Sequence, residues 1–270
     1  MNAFSRLQPI LEEILNTIKE DLNMNKLKII VFGIITTISL TGCSITGRSA
    51  SSSITRELKD KWGKDFTVEA LGDRWYTDSA TAYVYANDDP SMRFSVIVGD
   101  DGEVRLDQYS FRLVCRKVED KINSAFKAEG INSECFVDFN KWDYGVSQTC
   151  SIQEYIERSK ATDISAAVIC EDTGSITGKQ LSRVCNAVSS QIDGVEIIFA
   201  IHVLSESDYS LLKDYVRREV DYFNIDNLRN NDASDPIRKI TIKSEAGVSD
   251  KSNTEIDEAL SNPVEKRIFA

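Results

Sequence analysis

The chain has 270 residues, of which 41% are hydrophobic and 28% are charged, and it contains 4 Pro. This composition is typical of a globular protein and excludes the disordered and fibrous classes. With a formal net charge of −11 the chain lacks the basic excess typical of nucleic-acid binding, and anionic lipid headgroups are disfavoured as partners for the same reason. His202 is the only histidine, so we expect no metal site built on several imidazoles, and no cofactor is implied.

Residues 24–42 have the layout of a secretory signal peptide. Lys26 and Lys28 form a basic start, and an apolar run from Ile29 to Leu40 follows directly. A run of about 12 residues suits the core of a signal peptide, whereas a membrane-spanning helix needs about 20. We therefore expect an exported protein that is not held by a transmembrane helix.

The apolar run ends in Leu40-Thr41-Gly42-Cys43, which matches the lipobox of bacterial lipoproteins. This part of the chain resembles the leader of that family, in which the cysteine accepts a diacylglyceryl group and a peptidase then cuts before it. The resemblance implies that Cys43 is lipidated, that the mature chain starts there, and that it is attached to the extracytoplasmic face of the cell membrane. The alternative is an ordinary apolar cysteine after a plain signal peptide or an uncleaved anchor.

Residues 1–23 precede the basic start and carry two basic and four acidic side chains. Since a signal peptide normally begins within a few residues of its basic segment, we favour Met24 as the start of translation and residues 1–23 as a miscalled extension. The alternative is a real amphipathic extension, which apolar residues at helical spacing indicate. These residues are Phe4, Leu7, Leu11, Ile14, Leu15, Ile18 and Leu22.

The exported part is predicted to start with the lipidated cysteine and a serine-rich flexible tether over residues 43–53, since Ser44 to Ser53 lacks apolar periodicity. Residues 54–140 are predicted to form an α+β region with a first helix, an antiparallel meander and a long second helix that Gly130 ends. The apolar positions that mark these elements are Ile54, Leu58 and Trp62, then Phe66, Thr81–Ala86, Arg93–Val98 and Val104–Leu106, then Phe111 to Phe126, with a further strand at Cys135–Phe139.

Residues 141–243 are predicted to alternate between strands and helices, and residues 244–270 to form a flexible tail with one weak helical stretch at Ile256–Leu260. We therefore expect an α+β protein in which a meander with flanking helices precedes a βαβαβ-type region. The elements of that region are a strand at Ile164–Cys170, a helix at Leu181–Val188, a strand at Val195–Leu204, a helix at Tyr209–Phe223 and a strand at Ile237–Ile242.

The order of elements in residues 54–140, a helix and a short curved meander behind an anchor, resembles PepSY-like and cystatin-like modules of exported bacterial proteins. The likeness covers about a third of the chain and includes no diagnostic residue, so it implies no active site.

A glycine-rich segment, Gly174 to Gln180, lies between a predicted strand and a predicted helix, as a phosphate-binding P-loop does. Two required residues differ, because Thr173 replaces the first glycine and Gln180 replaces the hydroxyl residue after Lys179. We therefore predict a turn and a helix start here, without bound phosphate.

His202 lies in the predicted strand Val195–Leu204, on the face that Glu196, Ile198 and Ala200 share. A Ser-His-acid triad would have to use this histidine, and the sequence contains no nucleophile-elbow motif. The favoured interpretation is a structural histidine, and an envelope hydrolase that uses His202 is the alternative.

Five cysteines follow Cys43, and none of their spacings is the CxxC typical of zinc ribbons and redox motifs. Cys115, Cys170 and Cys185 fall at apolar positions that suit small buried side chains. Cys135 and Cys150 flank the loop between the two regions and are the first candidate pair for a disulfide.

Two acidic turns and an aromatic group are weaker candidate sites. Asn87–Asp89 and Asp100–Glu103 carry oxygen ligands suited to calcium, but turn formation is the favoured interpretation. Four aromatic residues of the first strands form either a stacking platform or cross-strand packing, and the second is favoured. They are Trp75, Tyr76, Tyr83 and Tyr85.

The sequence thus predicts a lipoprotein of the cell envelope with a membrane as its partner through Cys43, and no nucleic acid. Since no catalytic, cofactor or metal site is indicated, we expect a non-catalytic binding module whose partner is another envelope protein. The alternative remains a hydrolase centred on His202.

Overall fold

The computed structural model describes residues 44–72, 78–218 and 238–262. The leader, Cys43, Trp75, Tyr76 and Phe223 lie outside these ranges, so what is expected of them stays a prediction. Within the described ranges the chain forms six helices and nine strands arranged in two sheets. This arrangement confirms the predicted α+β class.

The first sheet is a four-stranded antiparallel meander in chain order, as predicted. Alternate residues of its strands are buried on one face, where Ile54 and Leu58 of helix α1 (Ser44–Trp62) pack against it. These two helical residues are four apart and so lie on the same side of α1. The strands are β1 (Phe66–Leu71), β2 (Ser79–Ala86), β3 (Asp89–Gly99) and β4 (Val104–Asp107).

Helix α2 (Tyr109–Ala128) contributes to both hydrophobic cores of the molecule. Tyr109 packs in the core of the first sheet, whereas the apolar face from Phe111 to Phe126 packs in the core of the second. The helix ends before Gly130, which has a φ of +75°. Because glycine adopts this left-handed conformation without steric cost, Gly130 ends the helix as predicted.

The second sheet has five strands in chain order, and only β6 and β7 are parallel among its described strands. Helix α4 (Gly178–Ser189) makes the crossover connection that a parallel pair needs. The predicted strand–helix alternation therefore gives a mixed sheet. The strands are β5 (Ser133–Phe139), β6 (Asp163–Glu171), β7 (Glu196–Leu204), β8 (Arg238–Glu245) and β9 (Val248–Ser249).

Helices cover the two faces of the second sheet unequally. Helices α2, α3 (Ile152–Ser159), α4 and α6 (Asn253–Ser261) pack into the larger core on one face. Helix α5 (Glu206–Arg217) covers part of the other face, where Tyr209, Leu212 and Val216 contact the sheet. Helix α3 was not predicted, because its eight residues include only a short apolar face.

Two segments expected to be flexible are regular in the structure. Helix α1 begins at Ser44, within the segment that is predicted to be a tether. Because the helix is already packed at Ile54, extending it by further turns avoids the cost of nucleation. The expected tail is part of the fold as far as residue 262. Strands β8 and β9 pair through a turn, and α6 buries Ile256 and Leu260.

The boundary predicted at residue 140 differs from the sheet topology. Strand β5 falls in the first predicted region, yet it pairs with β6 of the second over its whole length. The described residues from Ser53 onward belong to one compact unit that includes both sheets. Among the described residues, no helix is both long and apolar enough to cross a bilayer.

The five cysteines after Cys43 are buried free thiols, so the suggested pairing of Cys135 with Cys150 is wrong. Cys135 Sγ donates to the backbone oxygen of Glu119 at 3.7 Å, and Cys150 Sγ donates to that of Ser151 at 3.4 Å. Burial raises the pKa of both thiols. These cysteines serve as small buried side chains with little thiolate character.

Candidate binding groove beside helix α5

A groove of about 420 Å³ opens between α2, β5 and α5, and we call it the α5 groove. Four polar residues of α2, spaced about one helical turn apart, line one wall. Glu134 of β5 and Tyr209 of α5 line the others. The size of the groove is within the range of small-molecule sites. The residues of the α2 wall are Asp120, Asn123, Ser124 and Lys127.

The charged residues that line the α5 groove are two carboxylates, Asp120 and Glu134, and one lysine, Lys127. Asp120 lies at the exposed rim, and Glu134 is half-buried inside. Burial raises the pKa of each carboxyl group, and it outweighs the opposite effect of Arg116 and Arg217. The ionised carboxylates are therefore less well stabilised here than in water.

A hydrogen-bonded frame fixes part of the groove. The Asn123 amide oxygen accepts from Ser133 Oγ at 3.0 Å, and its nitrogen donates to Glu134 Oε2 at 3.5 Å. Burial raises the pKa of the Tyr209 phenol to about 12, so this group stays protonated at neutral pH. The groove therefore presents carboxylate and amide acceptors together with two donors, the Tyr209 phenol and the Lys127 ammonium group.

A second, smaller cavity of about 180 Å³ lies near the end of α5, beside Arg93 and Arg218. The Glu69 carboxylate contacts both guanidinium groups, with distances of 2.6 Å to Arg93 Nε and 2.5 Å to Arg218 Nη2. Since Glu69 already neutralises these cations, the cavity is less suited to an anionic ligand than its arginines suggest.

His202 lies in β7 as predicted, and its side chain is only 3% exposed. Its neighbours in the sheet register are Ile169 of β6 and Lys239 of β8. A general base must reach the proton that it removes from substrate. This depth inside the sheet therefore disfavours a hydrolytic role for His202.

The glycine-rich segment before α4 forms a turn and a helix start, as predicted. Thr177 caps the helix, with its side chain and that of Gln180 in a reciprocal capping box. The N–H of Gly178 donates to the Asp257 carboxylate of α6 at 2.5 Å. Residues of the chain itself thus occupy the helix terminus that a phosphate group would use.

The acidic segments lie at turns of the first sheet, in agreement with the favoured interpretation. Asp101 Oδ1 accepts from the backbone N–H of Glu103 at 3.0 Å, which stabilises the turn between β3 and β4. Among the described residues, no group of three or more acidic, cysteine or histidine side chains is arranged to hold a metal ion.

Tyr83 and Tyr85 are half-buried and alternate along β2 with the buried residues, as predicted, and Tyr83 also packs against the core of the first sheet. The Arg93 guanidinium lies 5.3 Å from the centre of the Tyr83 ring. This contact is within the distance of a cation–π interaction, so at least one ring is used inside the chain.

The residues of the α5 groove were not identified from the sequence. The only signal is that Asp120, Asn123, Ser124 and Lys127 share one face of a predicted helix. Polar residues at this spacing normally form the solvated side of a helix. Nothing in the local sequence shows that Glu134 and Tyr209 lie opposite this face.

One solved structure has a similar architecture, and the likeness covers 78% of this chain and 99% of the other. The fold is similar to that of a DUF5037 family protein. That protein is from Ruminococcus gnavus, and the two structures have a TM-score of 0.63 at 14% sequence identity. At this identity the likeness to the DUF5037 structure shows the fold alone. No protein-family model and no curated protein matches the sequence.

Proposed function

We propose that the protein is a lipoprotein, anchored through Cys43 to the extracytoplasmic face of the cell membrane, whose folded part is a non-catalytic binding module. The observation that carries this proposal is the lipobox Leu40–Cys43 directly after a short apolar run with a basic start. The two acyl chains of such an anchor are sufficient for stable membrane attachment.

Binding is favoured over hydrolysis by the position of the chemical groups. His202 is buried in β7, whereas the α5 groove presents polar side chains to solvent. We propose the groove as the binding site of the module, and another envelope protein as its partner. The proposal therefore separates into an anchor at Cys43 and a binding surface on the folded part.

The anchor is tested by the substitution Cys43→Ser in cells fed a fatty-acid analogue. We expect the variant to lose the label and to accumulate as an unprocessed precursor, because only a thiol accepts the thioether-linked lipid. Cys150→Ser is the matched control and should keep the label. Mass spectrometry of the membrane fraction then examines the wild-type chain. If that chain is intact and Cys43 is unmodified, the anchor is absent.

Activity assays distinguish the binding module from the hydrolase. The lipidated protein is screened against peptide, ester and glycan substrates, and the screen is repeated with His202→Ala. Hydrolysis that disappears with this substitution would contradict the proposal. The partner is sought by crosslinking the lipidated protein in intact membranes, with Cys43→Ser as the comparison.

A further inference from the structure

We propose that the first sheet holds the end of α5 through an ionic latch, formed by Glu69, Arg93 and Arg218, and that α5 is therefore the adjustable wall of the α5 groove. The inference rests on the proposed function only in taking the groove as the binding site of the module. It adds a way in which the first sheet regulates that site.

The first argument is that α5 contacts the two sheets by different chemistry. Its buried apolar residues Tyr209, Leu212 and Val216 pack on the second sheet. Among the described residues, no side chain of α5 belongs to the hydrophobic core of the first sheet. Polar groups connect its C-terminal end to that sheet. Such an interface permits relative motion more readily than an apolar core does.

Glu69 is the centre of the ionic latch. The register of β1 with β2 shifts at this residue, between Val68 and Ala70. A bulge of this kind takes its extra residue out of the ladder and re-aims the side chain. The Glu69 carboxylate lies 2.5 Å from Nη2 of Arg218, directly after α5, and 2.6 Å from Nε of Arg93 in β3. Glu69 thus joins the end of α5 to two strands of the first sheet.

A second polar bridge and a cavity lie at the same junction. Arg116 of α2 donates to the backbone oxygens of Ser91 in β3 at 3.2 Å and of Arg217 at 3.4 Å. Arg217 is the last residue of α5, where carbonyl groups lack helical partners and favour a cation. The cavity of about 180 Å³ beside the ionic latch shows that the junction is not close-packed. The end of α5 therefore has room to move once its polar contacts break.

The walls of the α5 groove differ in how they are held. Asn123 of α2 is hydrogen-bonded to Ser133 and Glu134 of β5, which fixes these two walls relative to each other. Among the described residues that line the groove, Tyr209 is the one on α5. A shift of α5 therefore changes the width of the groove at Tyr209. By linkage, an open latch and an occupant that needs a wider groove favour each other by the same factor.

The test is hydrogen exchange of the full chain purified in detergent, measured by mass spectrometry for residues 206–217. Glu69→Gln removes the charge at the centre of the ionic latch. We expect it to make exchange in α5 about two- to fivefold faster, the effect of losing solvent-accessible ion pairs, and to leave exchange in β6 and β7 unchanged. Arg218→Met should have the same effect, and the double variant should add nothing, because both substitutions break the same contact.

Salt provides an independent measurement. In about 1 M NaCl the screening length falls to about 3 Å, so α5 of the wild type should exchange nearly as fast as α5 of Glu69→Gln at low salt. The same salt should change the variant little. Glu129→Gln is the matched control, because Glu129 pairs with Arg183 of α4 at the same distance of 2.5 Å. It should leave exchange in α5 unchanged.

Three results would overturn the inference. These are unchanged exchange of α5 in Glu69→Gln or in high salt, faster exchange spread evenly over the whole chain, or an equal effect of Glu129→Gln on α5. None of these measurements uses the lipid anchor or a partner. Failure of the ionic latch is therefore distinguishable from failure of the proposed function, which labelling of Cys43 and crosslinking in membranes test separately.

Discussion

Arg112 and Glu119 of α2 form a buried ion pair. Both side chains are also hydrogen-bonded to the backbone of the edge strand β5. Both side chains are at most 2% exposed, and Arg112 Nη2 lies 2.9 Å from Glu119 Oε1. Arg112 also donates to the carbonyl of Val137 at 3.0 Å, and Glu119 accepts from the N–H of Val137 at 3.1 Å. In the described sheet β5 is an edge strand, so one side of its backbone has no neighbouring strand to bond with. The ion pair supplies hydrogen-bond partners for the N–H and the carbonyl of Val137 instead.

We predict that Glu119→Gln lowers the free energy of unfolding by about 3–5 kcal/mol, because it leaves the Arg112 charge buried without its partner. Urea denaturation followed by circular dichroism measures the change. Arg183→Met removes an exposed ion pair with Glu129 and should cost about 0–1 kcal/mol.

The double substitution Arg112→Met with Glu119→Leu should recover part of the loss, because it removes both charges together. A Glu119→Gln variant as stable as the Arg183→Met control would contradict a structural role for the buried pair.

The raised pKa of Glu134 predicts how stability depends on pH. Burial raises the folded-state pKa above the unfolded value, so the folded state binds the proton more tightly. Stability therefore falls as the pH rises from about 4, the usual pKa of a glutamate, through the folded-state value. Glu134→Gln should remove this loss.

Thermal unfolding of the wild-type protein and Glu134→Gln at a series of pH values measures the effect. We expect the variant to gain stability relative to the wild type as the pH rises towards neutrality. Glu157→Gln, which changes an exposed glutamate of α3, is the control, and its difference in stability from the wild type should be the same at every pH. A flat difference for Glu134→Gln would show that burial does not destabilise its carboxylate.

At the scale of elements, α6 closes the larger core and fixes the start of α4. A Cβ on Gly178 would lie 2.2 Å from the backbone oxygen of Asn253, so the two helices approach closely there. Ser252 and Glu255 form a capping box that starts α6. The segment after β9 is therefore a fixed part of the fold as far as residue 262.

We predict that Ile256→Ala lowers the free energy of unfolding by about 2–5 kcal/mol, because Ile256 is fully buried and its loss leaves a cavity. Urea denaturation measures the change. Glu258→Ala on the exposed side of α6 is the control and should change stability by at most about 0.5 kcal/mol. Equal effects of the two substitutions would mean that α6 is only loosely attached.

At the scale of the whole molecule, α2 joins the two sheets into one structure. Tyr109 and Leu113 pack with the core of the first sheet, whereas the apolar face from Phe111 to Phe126 belongs to the core of the second. Helix α5 adds a second connection, because Arg218 after its end pairs with Glu69 of β1. The α5 groove lies where these two helices meet β5.

Much of the fold was predictable from the sequence, because periodicity reports which face of an element is buried. The meander, α2 with its end at Gly130, and the strand at Val195–Leu204 follow from apolar spacing within single elements. The lipobox around Cys43 is likewise a local motif, and its predicted role depends on sequence and not on the fold. These features need only residues that are neighbours in the chain.

Only the tertiary structure decided which elements meet. The pairing of β5 with β6, the contact of Arg112 and Glu119 with Val137, and the packing of Ile256 depend on residues far apart in the chain. Asp120 looks like an ordinary solvated residue of α2 until β5 and α5 place Glu134 and Tyr209 around the same groove. A polar residue on a helix carries no local sign of what packs beside it, so the groove exists only in the folded chain.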